Sequence, residues 1–495
     1  MKLTDLLRGL DGLDIVLEAD GEVTSLAYDS RRAQRGSLFF AVHGEKTDGH
    51  TFIPQALSRG AIAVVSERQP PAELAPRWVR VPQIRRALST AGRRFYGLPD
   101  LHLKLVGITG TNGKTTTAFL VDSILRAAGI RTGVFGTIEY KIGDRVLPAL
   151  NTTPESLDLW SYLAQTVETG GDGAVMEVSS HALAQERVWG FNYYVAVFTN
   201  LTRDHFDYHK DFEHYFEAKR RLFEGLGTPP PATAVINIED PWGKKLLDLR
   251  GSRQLTYGMN SNAQVKIKRL DSRHNGLEGT ITTPAGRLEL SSALVGRANL
   301  ANILAATAAS VAYGIPLEKI EEGISNLKAV PGRFERIDEG QSFLVVVDYA
   351  HTDDALRNVL STARELTRNR LIVVFGCGGE RDRAKRPLMG EAAGSLSDLA
   401  VVTSDNPRSE DPIAIMNDAI VGLQKTGNPY LAEVDREIAI RKALAAANDG
   451  DIVVLAGKGH ETYQVLKDRT IPCDDRQLAR SILREMGFGE GRKAG

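Results

Sequence analysis

The segment 106–116 is the part of the sequence with the clearest chemistry. It reads Val-Gly-Ile-Thr-Gly-Thr-Asn-Gly-Lys-Thr-Thr and lies between an apolar run and a helical pattern at 118–128. The glycines let backbone N–H groups approach phosphate oxygens, and the N-terminus of the following helix adds positive potential. In such a loop Lys114 contacts the β- and γ-phosphates and Thr115 binds Mg²⁺. The segment therefore predicts an ATP or GTP site.

The glycines depart from the strict phosphate-loop pattern at one position. That pattern places a glycine at position 108, where this chain has Ile108, and the nearest glycines are Gly107 and Gly110. The alternative interpretation is a glycine-rich turn followed by an incidental Lys-Thr pair. We favour nucleotide binding, because strand, loop and helix follow one another in the order that phosphate binding needs.

Acidic and histidine side chains follow other apolar runs. Glu177 lies at the end of one run, and open α/β sheets bind their ligands at the carboxyl ends of strands. His205 and His209 lie four residues apart and could be metal ligands, but no cysteines or His-Glu-x-x-His pattern support zinc. An oxygen-rich Mg²⁺ site at Thr115 and Glu177 fits better. For each histidine a structural, hydrogen-bonded role is the alternative.

Short apolar runs separated by helical patterns must position these side chains. Buried parallel strands are typically continuous apolar segments of this kind. A first series comprises 104–109, 133–135, 174–178, 195–199 and 234–238. A second series comprises 343–347, 371–375, 399–403 and 451–455. Each series predicts an open, mostly parallel sheet.

An amphipathic helix pattern at 299–312 and the breaker Val330-Pro-Gly332 separate the two series. We expect an α/β protein of three domains, which agrees with a length of 495 residues at about 150 residues per domain. A small N-terminal α/β domain covers 1–101. A central domain at 102–332 resembles a phosphate-loop ATPase on a mostly parallel sheet. A Rossmann-like α/β domain covers 333–495.

Composition and charge exclude several classes of protein. Hydrophobic residues make up 42% of the chain and charged residues 25%, which is typical of folded domains. Lys and Arg number 61 against 62 Asp and Glu, so the chain lacks the basic surface that nucleic-acid binding needs. The N-terminus lacks the apolar stretch of a signal peptide. The most apolar helical run, 300–315, is too short to span a bilayer. Two cysteines cannot form a disulfide framework. We expect a soluble, cytoplasmic monomer that binds small molecules, without nucleic acid or membrane insertion.

Five runs of the sequence match motifs of a known family. They are Gly107-Ile-Thr-Gly-Thr-Asn-Gly-Lys-Thr-Thr116, Met176-Glu-Val-Ser-Ser-His181, Thr199-Asn-Leu-Thr-Arg-Asp-His205, Val330-Pro-Gly-Arg-Phe-Glu335 and Val347-Asp-Tyr-Ala-His351. Through them the chain resembles the Mur ligase family over essentially its whole length. Members of this family are ATP-dependent ligases that add amino acids to the peptide stem of peptidoglycan.

The resemblance implies an ATP- and Mg²⁺-dependent amide ligase of peptidoglycan precursor synthesis, with a role in cell-wall biogenesis, cell shape and cell division. A further run, Thr403-Ser-Asp-Asn-Pro-Arg408, resembles the motif by which some members recognise meso-diaminopimelate. Those members join it to UDP-N-acetylmuramoyl-L-alanyl-D-glutamate. Lysine-adding relatives depart from the motif at the arginine. The implied substrates are therefore ATP, this UDP-muramoyl dipeptide and meso-diaminopimelate.

The resemblance also assigns roles to individual residues around the nucleotide. It implies that ATP is bound by Gly110, Thr111, Asn112, Gly113, Lys114, Thr115, Thr116, Asn302, Arg333 and Asp348. The resemblance also places Mg²⁺ near Thr115, Glu177 and His205. Lys219 would be a carbamylated lysine (N6-carboxylysine), which forms from an amine and CO₂. Composition alone would instead place Lys219 on a solvated helix face. The implied catalytic residues are Lys114, Lys219, His205 and Glu177.

Two further sets of residues are implied for the other substrates. The UDP-muramoyl dipeptide would contact Ser30, Asn151, Thr152, Thr153, Ser179, Gln185 and Arg187. Diaminopimelate would contact Arg381, Asp405, Asn406, Pro407, Arg408, Gly457 and Glu461. For Arg408 the alternative is a loop arginine that forms surface ion pairs with Glu410 or Asp411. The first-domain loop Gly44-Glu-Lys-Thr47 departs from the family's pattern.

The expected chemistry has two steps. The side-chain carboxylate of D-glutamate attacks the γ-phosphorus of ATP and gives an acyl phosphate and ADP. The amine of diaminopimelate then attacks the acyl carbon, and phosphate leaves. Mg²⁺, Lys114 and Arg333 would reduce the repulsion between anions in the first step. The amine must lose a proton, which either His205 or a phosphate oxygen could accept. Domain closure, with Val330-Pro-Gly332 as the candidate hinge, would exclude water from the acyl phosphate.

Three alternatives compete with this interpretation. A lysine-adding ligase or a folylpolyglutamate synthase shares the nucleotide loop, but the first domain and the run 405–408 argue against both. A regulatory NTPase would hydrolyse its nucleotide without any amino acid, whereas ADP release by the ligase needs both acceptor and amine. A scaffold with a vestigial loop is disfavoured, because Lys114, Thr115 and Glu177 are all present.

Replacing Lys114 tests the nucleotide site. We expect Lys114→Ala to abolish ATP-dependent ligation, because no other group of the loop can replace its contact with the transferred phosphate. The measurement is phosphate release with both acceptor and amine present. Activity near that of the wild type would show that the loop does not bind the nucleotide.

Overall fold

The computed structural model describes residues 1–8, 14–17, 21–44, 47–259, 262–273 and 276–489, and these residues form three main sheets flanked by helices. Glu45 and Lys46, in the first-domain loop that departs from the family's pattern, lie outside the described residues. Over the described ranges, no helix is long and apolar enough to cross a membrane.

The N-terminal part of the chain forms the smallest of the three sheets. Its elements are α1 (Leu3–Leu7), β1 (Asp14–Leu17), β2 (Ser25–Ala27), β3 (Ser37–Phe40), α2 (Ile53–Ser58), β4 (Ala63–Ser66), β5 (Arg77–Arg80) and α3 (Ile84–Phe95). The strands lie in the order β1-β5-β4-β3-β2. β1 is antiparallel to β5, and the other neighbouring strands are parallel. Leu38, Phe40, Val65 and Val79 contribute to its core.

The middle of the chain forms the largest sheet. Its first elements are β6 (Lys104–Thr109), α4 (Lys114–Ala127), β7 (Thr132–Phe135), β8 (Glu139–Ile142), β9 (Arg145–Pro148), α5 (Ser156–Glu168), β10 (Gly173–Glu177), α6 (Ser180–Ala184), β11 (Tyr193–Phe198), α7 (Phe206–His209) and α8 (Phe212–Glu224). They are followed by β12 (Thr233–Asn237), α9 (Pro241–Lys245), β13 (Arg253–Gly258), β14 (Val265–Arg273), β15 (Gly276–Thr283), β16 (Gly286–Ser292), α10 (Arg297–Tyr313) and α11 (Leu317–Asn326).

The strands of this central sheet lie in the order β16-β15-β14-β13-β12-β11-β6-β10-β7-β8-β9. The run from β14 to β7 is parallel, and antiparallel strands extend the sheet at both edges. β6 therefore lies between β11 and β10, and the carboxyl ends of all three strands meet at one edge of the sheet.

The C-terminal part forms the third sheet, in the strand order β17-β18-β22-β19-β20-β21. Its elements are β17 (Glu335–Ile337), β18 (Leu344–Asp348), α12 (Asp353–Leu366), β19 (Leu371–Cys377), α13 (Lys385–Leu396), β20 (Leu399–Ser404), α14 (Pro412–Thr426), β21 (Tyr430–Ala432), α15 (Arg436–Ala445), β22 (Ile452–Ala456), β23 (Tyr463–Val465), β24 (Thr470–Pro472) and α16 (Asp475–Glu485). β17 is antiparallel to β18, the other pairs are parallel, and β23 and β24 form a separate antiparallel ribbon. Short 3₁₀ helices lie at Ser30–Arg32, Gly49–Phe52, Ala72–Leu74, Pro99–Leu101 and Leu246–Asp248.

The apolar runs of the sequence are confirmed as parallel strands of the central and third sheets. In β6, Val106 and Ile108 pack toward α4 and α10, whereas Leu105 packs toward α5 and the opposite layer. Both faces of the strand are therefore covered, which explains why its residues are apolar without alternation. The α/β fold with three sheets agrees with the expected fold class.

Two features differ from the sequence analysis. The antiparallel strands at the edges, β8–β9 and β14–β16, were not expected. One face of these strands is exposed, so apolar residues alternate with polar ones and form no continuous apolar run. The helix expected to be amphipathic is α10, and it is buried on almost every side, from Leu300 through Ser310. It packs under β11–β15, so a polar face would have no solvent to contact.

The breaker Val330-Pro-Gly332 lies between the last helix of the central sheet and the first strand of the third. The Gly332 N–H donates to Glu335 (2.7 Å), and the Gly332 carbonyl accepts from the Tyr349 N–H (3.0 Å). This segment is thus attached to the third sheet. The domain limits after residues 101 and 332 stay a prediction.

A buried ion pair connects α15 and α16 beneath the third sheet. Arg436 binds both carboxylate oxygens of Asp475 at 2.6 and 2.8 Å, and the two side chains are 1% and 0% exposed. Arg436 also donates to the Ala456 carbonyl at the end of β22 (2.9 Å). A buried cation that loses its anion keeps its desolvation cost, so this pair should be sensitive to the loss of either partner.

We expect Asp475→Asn to lower the free energy of unfolding by about 3–5 kcal/mol, because it leaves the Arg436 guanidinium buried without a counter-charge. The control is Glu485→Gln, which removes the anion of an exposed pair with Arg441 and should cost less than about 1 kcal/mol. Guanidinium chloride titration followed by circular dichroism measures both. Equal small effects would show that the buried pair is dispensable.

Candidate active site

The phosphate loop begins where β6 ends and closes where α4 begins. Gly110 and Gly113 have φ angles of 147° and 85°, which side chains rarely adopt. A Cβ atom at these positions would lie 1.9 Å from the Thr199 hydroxyl and 2.3 Å from the Asn302 amide oxygen. Ile108, which replaces the glycine of the strict motif, is fully buried inside β6. The loop therefore starts at Gly110, and Ile108 belongs to the strand.

Lys114 opens α4 and folds back over the loop. Its Nζ atom donates to the carbonyls of Gly110 (2.9 Å) and Thr111 (2.8 Å). Burial lowers the pKa of Lys114, although the Glu177 carboxylate acts in the opposite direction. The ammonium group thus lies at the centre of the loop and at the N-terminus of a helix. A phosphate bound there would interact favourably with both the ammonium charge and the helix dipole.

Glu177 ends β10 and faces the start of α4. Its carboxylate accepts hydrogen bonds from the Thr115 hydroxyl (3.0 Å), the Thr137 hydroxyl (3.0 Å) and the Thr137 N–H (2.8 Å). The side chain is 1% exposed, and no basic group of the described residues lies within ion-pair distance of it. Hydroxyl and carboxylate oxygens beside a phosphate loop are the ligands that Mg²⁺ prefers.

Lys219 lies on the inward face of α8 and is 1% exposed. The solvent-exposed position that composition suggests for Lys219 is therefore wrong. Its Nζ atom donates to the Gly110 carbonyl (2.8 Å) and lies 4.4 Å from the centre of the Tyr215 ring. Burial, together with the nearby Lys114 ammonium, holds the pKa of Lys219 well below its usual value. Burial of this kind disfavours the charged ammonium form relative to the neutral amine, which is the nucleophilic form.

The histidines occupy different environments. His205 has a left-handed backbone (φ 55°), and its Nε2 atom lies 3.3 Å from an Asp204 carboxylate oxygen. His209 is buried, and its Nε2 atom bonds to the Ser180 hydroxyl (2.9 Å), as the structural alternative expects. Within the ranges that the structure describes, no three His, Cys, Asp or Glu side chains form a metal-binding group. Zinc therefore gains no support.

A cavity of about 420 Å³ lies between the central and third sheets. The predicted site residues that line it are Thr111, Asn112, Gly113, Lys114, Thr115, Thr116, Thr152, Glu177, His205, Asn302, Arg333, Asp348, Arg381, Asp405, Asn406, Arg408, Gly457 and Glu461. The predicted residues outside this lining, as the structure describes it, are Ser30, Gly110, Asn151, Thr153, Ser179, Gln185, Arg187, Lys219 and Pro407. Most of the nucleotide set and most of the diaminopimelate set thus face one space.

Residues from three segments complete the nucleotide side of the cavity. The Arg333 guanidinium donates to the Thr115 hydroxyl (3.2 Å) and lies 4.6 Å from the centre of the Tyr349 ring. Asp348 accepts from the Phe334 and Ala350 N–H groups, both at 2.8 Å, and burial raises its pKa. Asn302, on α10, approaches Gly113 and is 8% exposed.

Four of the residues predicted to contact the UDP-muramoyl dipeptide, Thr153, Ser179, Gln185 and Arg187, form one cluster in the central domain. The Thr153 hydroxyl donates to the Glu177 carbonyl (2.8 Å) and accepts from the Ser179 N–H (3.0 Å). Arg187 donates to the Thr153 carbonyl (3.1 Å) and to the Gln185 side chain (2.7 Å). Asn151 and Thr152 precede this cluster in sequence. Ser30 is not part of it: its hydroxyl bonds to Gln55 in the first domain (2.6 Å).

The third-domain side of the cavity is a network of polar groups at the ends of β20 and β22. Glu461 accepts from Lys458 (2.7 Å) and from the Asn406 amide (2.9 Å), and the Asn406 oxygen accepts from the same lysine (3.2 Å). Lys458 is fully buried. Asp405 is 7% exposed, Arg381 is exposed, and both line the cavity.

Arg408 is half-buried and has a left-handed backbone (φ 54°). Its guanidinium donates to the Gly379 carbonyl (2.6 Å). The expected alternative, an ion pair with Glu410 or Asp411, is absent from the described structure: Glu410 pairs with Arg386 (2.9 Å), and Asp411 caps α14 by accepting from the Ile413 N–H (3.0 Å). Among the residues that the structure describes, the partners of the Arg408 guanidinium are therefore carbonyl oxygens and not carboxylates.

Comparison with protein families and with known proteins agrees with this geometry. Family models match the chain at 22–96 (Mur ligase family, catalytic domain), 108–310 (Mur ligase middle domain) and 332–459 (Mur ligase, glutamate ligase domain). A protein of Solibacter usitatus named UDP-N-acetylmuramoyl-L-alanyl-D-glutamate–2,6-diaminopimelate ligase is 56% identical over 470 residues, 95% of each chain. The chain belongs to the Mur ligase family.

Two further comparisons cover the Mur ligase chain nearly from end to end. A protein of the same name from Geobacillus thermodenitrificans is 46% identical over 489 residues, 98% of this chain and 100% of that protein. A solved structure of a UDP-N-acetylmuramoyl-L-alanyl-D-glutamate–2,6-diaminopimelate ligase is 34% identical, with a TM-score of 0.68 and 99% of both chains covered.

Several residues of this Mur ligase site were missed by the sequence analysis. Asp354, on α12, accepts from the Asn112 amide (2.8 Å) and the Thr202 hydroxyl (2.9 Å), and so connects the third domain to the phosphate loop. Thr137 binds Glu177, and Lys458 binds Glu461. Thr137 and Lys458 each follow a parallel strand closely, a position that could have signalled their roles. Asp354 lies inside a helix, where only the tertiary structure shows its contact.

Proposed function

We propose that this chain is an ATP-dependent ligase that joins meso-2,6-diaminopimelate to the D-glutamate side-chain carboxylate of UDP-N-acetylmuramoyl-L-alanyl-D-glutamate, in peptidoglycan precursor synthesis. One observation carries the proposal: the phosphate loop and three residues of the run 405–408, Asp405, Asn406 and Arg408, line the same cavity although they belong to different sheets. A nucleotide and an amino acid held there would meet at the cavity centre. The names of the full-length relatives and of the solved structure support this assignment.

In this proposal each domain provides the main binding surface for one substrate, while residues of the central domain also contact the dipeptide part of the acceptor and Arg333 and Asp348 of the third domain also contact ATP. Residues 1–101 bind the UDP-muramoyl part, 102–332 bind ATP, and 333–495 bind diaminopimelate. Ser30, which lies apart from the dipeptide cluster, contacts the uridine nucleotide end of the acceptor. The enzyme acts in the cytoplasm as a monomer.

Thr115 and Glu177 fit Mg²⁺, because a hydroxyl and a buried carboxylate 3.0 Å apart offer hard oxygen ligands beside the phosphate loop. His205 lies nearby in the same cavity. When bound, Mg²⁺ supplies charge neutralisation to the phosphate oxygens. Thr137 orients Glu177 through two hydrogen bonds, and partners of metal ligands commonly change metal affinity by about 10- to 100-fold.

The chain's own cations act on the first chemical step. The acceptor carboxylate attacks the γ-phosphorus, and ADP leaves. Lys114, which folds over the phosphate loop, and Arg333, which donates to the Thr115 hydroxyl, place positive charge where two anions approach each other. In the second step the amine attacks the acyl carbon and loses a proton to His205 or to a phosphate oxygen. Asp204, 3.3 Å from His205, would stabilise a protonated imidazole.

Phosphate release decides between this ligase and its alternatives. We measure it with and without the UDP-muramoyl dipeptide, and with diaminopimelate, L-lysine or no amine. The ligase requires acceptor and diaminopimelate together. Nucleotide hydrolysis that is independent of both substrates supports a regulatory NTPase. Phosphate release that is equally fast with L-lysine and with diaminopimelate rejects the proposed specificity.

Lys219 is proposed to be carbamylated. Its amine is buried, has a lowered pKa and has no carboxylate within ion-pair distance in the part of the chain that the structure describes. A neutral amine adds CO₂ and releases a proton, and the resulting carbamate is an anion that Lys114 and a metal ion can stabilise. This modification would turn a desolvated cation into a group that suits its surroundings.

We expect Lys219→Ala to be nearly inactive and to recover part of its activity with added formate or acetate, whose carboxylate replaces the carbamate. Lys114→Ala is the matched control: it also removes a lysine next to Gly110, but short acids cannot replace a cation, so it should not recover. Intact-protein mass spectrometry of the wild type should detect the added CO₂. Normal turnover of Lys219→Ala contradicts the carbamate.

Arg408 is proposed to select diaminopimelate over lysine. The two amino acids differ by one carboxylate at the far end of the side chain, and the planar fork of an arginine binds a carboxylate with two hydrogen bonds. Arg408 faces the cavity and binds only carbonyl oxygens among the contacts that the structure describes. The buried Lys458 pairs with Glu461, which also lines the cavity.

We expect Arg408→Ala to lower kcat/KM for diaminopimelate by tens- to thousands-fold, which corresponds to about 2–5 kcal/mol for a buried charge-assisted pair. Lysine never makes this contact and should be affected far less. Arg383→Ala, which removes a largely exposed arginine of the same domain, is the control and should leave both values unchanged. Equal losses with the two amino acids would mean that Arg408 only maintains the loop.

A further inference from the structure

Tyr140 lies beneath the loop that carries Asn151, Thr152 and Thr153. It belongs to β8, pairs with Leu147 across the β8–β9 hairpin, and is 3% exposed within the core of the central domain. The hairpin leads directly into the loop. The hydroxyl of this tyrosine is the polar end of a buried ring, so its hydrogen bonds decide where the loop lies.

The phenolic oxygen makes three hydrogen bonds to two consecutive loop residues. It donates to the Asn151 carbonyl (2.5 Å) and accepts from the N–H groups of Leu150 (3.1 Å) and Asn151 (2.9 Å). A phenol has one proton to donate and can accept at its lone pairs, so these contacts use its full capacity. Burial raises the pKa of Tyr140, which keeps the donated proton in place.

The side chains of the loop contribute little to holding its outer part. Leu150 is 86% exposed, so no packing fixes the backbone at that point. On the other side, Thr152 contacts Thr137 (3.1 Å), and Thr153 donates to the Glu177 carbonyl (2.8 Å). Within the described structure, Thr152 and Thr153 attach one side of the loop to Thr137 and to the strand that carries Glu177, whereas the Tyr140 phenol holds the backbone at Leu150 and Asn151.

We infer that Tyr140 is a positioning residue for the acceptor substrate: its hydroxyl orders the backbone at Leu150 and Asn151 so that the loop presents Asn151 to the UDP-muramoyl dipeptide. This inference rests on the proposed function, because Asn151–Thr153 contact the acceptor only under that proposal. A loop that is already ordered does not lose backbone conformational entropy when the ligand binds.

Tyr140→Phe tests the inference, since it removes one oxygen and keeps the ring. We expect the KM for the UDP-muramoyl dipeptide to rise about 5- to 30-fold, as for the loss of hydrogen bonds to a substrate-binding loop. The KM values for ATP and diaminopimelate, and kcat with saturating acceptor, should stay within about twofold, because the same bonds do not touch those substrates.

The matched control is Tyr162→Phe. Tyr162 lies in the same aromatic cluster, with ring centres 5.6 Å from Tyr140 and 6.0 Å from Phe135, and its hydroxyl makes no loop contact in the described structure. This variant should bind the acceptor like the wild type. Hydrogen exchange gives a second readout: the Leu150 and Asn151 amides should exchange about tenfold faster in Tyr140→Phe and at the wild-type rate in the control.

The outcomes separate the two levels of proposal. If the wild-type enzyme does not ligate the dipeptide, the proposed function fails. If the wild type ligates it but Tyr140→Phe and Tyr162→Phe have the same acceptor KM, the inference about Tyr140 fails. A Tyr140→Phe variant whose three KM values rise together with a lowered melting temperature also overturns it, because that pattern indicates a structural role alone.

Discussion

The pairing of β6 with β10 is the constraint on which the site depends. It places Ile108 opposite Glu177, so the phosphate loop and the buried carboxylate leave the same edge of the sheet side by side. The Thr115–Glu177 hydrogen bond follows from this register, and so does the bond from Thr153 to the Glu177 carbonyl. A one-residue shift would turn the Glu177 side chain to the other face of the sheet. The residues predicted to bind the nucleotide and those predicted to bind the acceptor are thus positioned by one strand pair.

Burial of cations around this edge has a chemical consequence. Lys114 and Lys219 both donate to the Gly110 carbonyl, and burial lowers the pKa of each. Two ammonium groups that share one acceptor repel each other, so their arrangement costs stability unless an anion lies between them or one of them is neutral. A phosphate group and a carbamate would each resolve this conflict. The electrostatics of the loop therefore favour the same two anions that the proposed reaction requires.

The sequence predicts those parts of the fold whose cause is local. The parallel strands follow from apolar runs buried on both faces, and the phosphate loop follows from glycines between β6 and α4. It could not predict that Lys219 is buried, because an isolated helix shows only which residues share a face and not which face packs inward. Nor could it predict that Asp354 or Tyr140 reaches the site, since both act through backbone or side-chain partners that are distant in sequence.

The contacts across the sheets explain why ligation needs a third domain and not only a phosphate loop. Arg333 reaches Thr115, and Asp354 binds Asn112, so two positions of the loop are contacted by residues beyond the central sheet. The third domain also carries the run 405–408, three residues of which line the same cavity. Under the proposed function, closure that brings the amine toward the acyl carbon would also bring Arg333 toward the phosphates. Activation of the acceptor and delivery of the amine would then be coupled by geometry, which would limit the time for which an acyl phosphate is exposed to water.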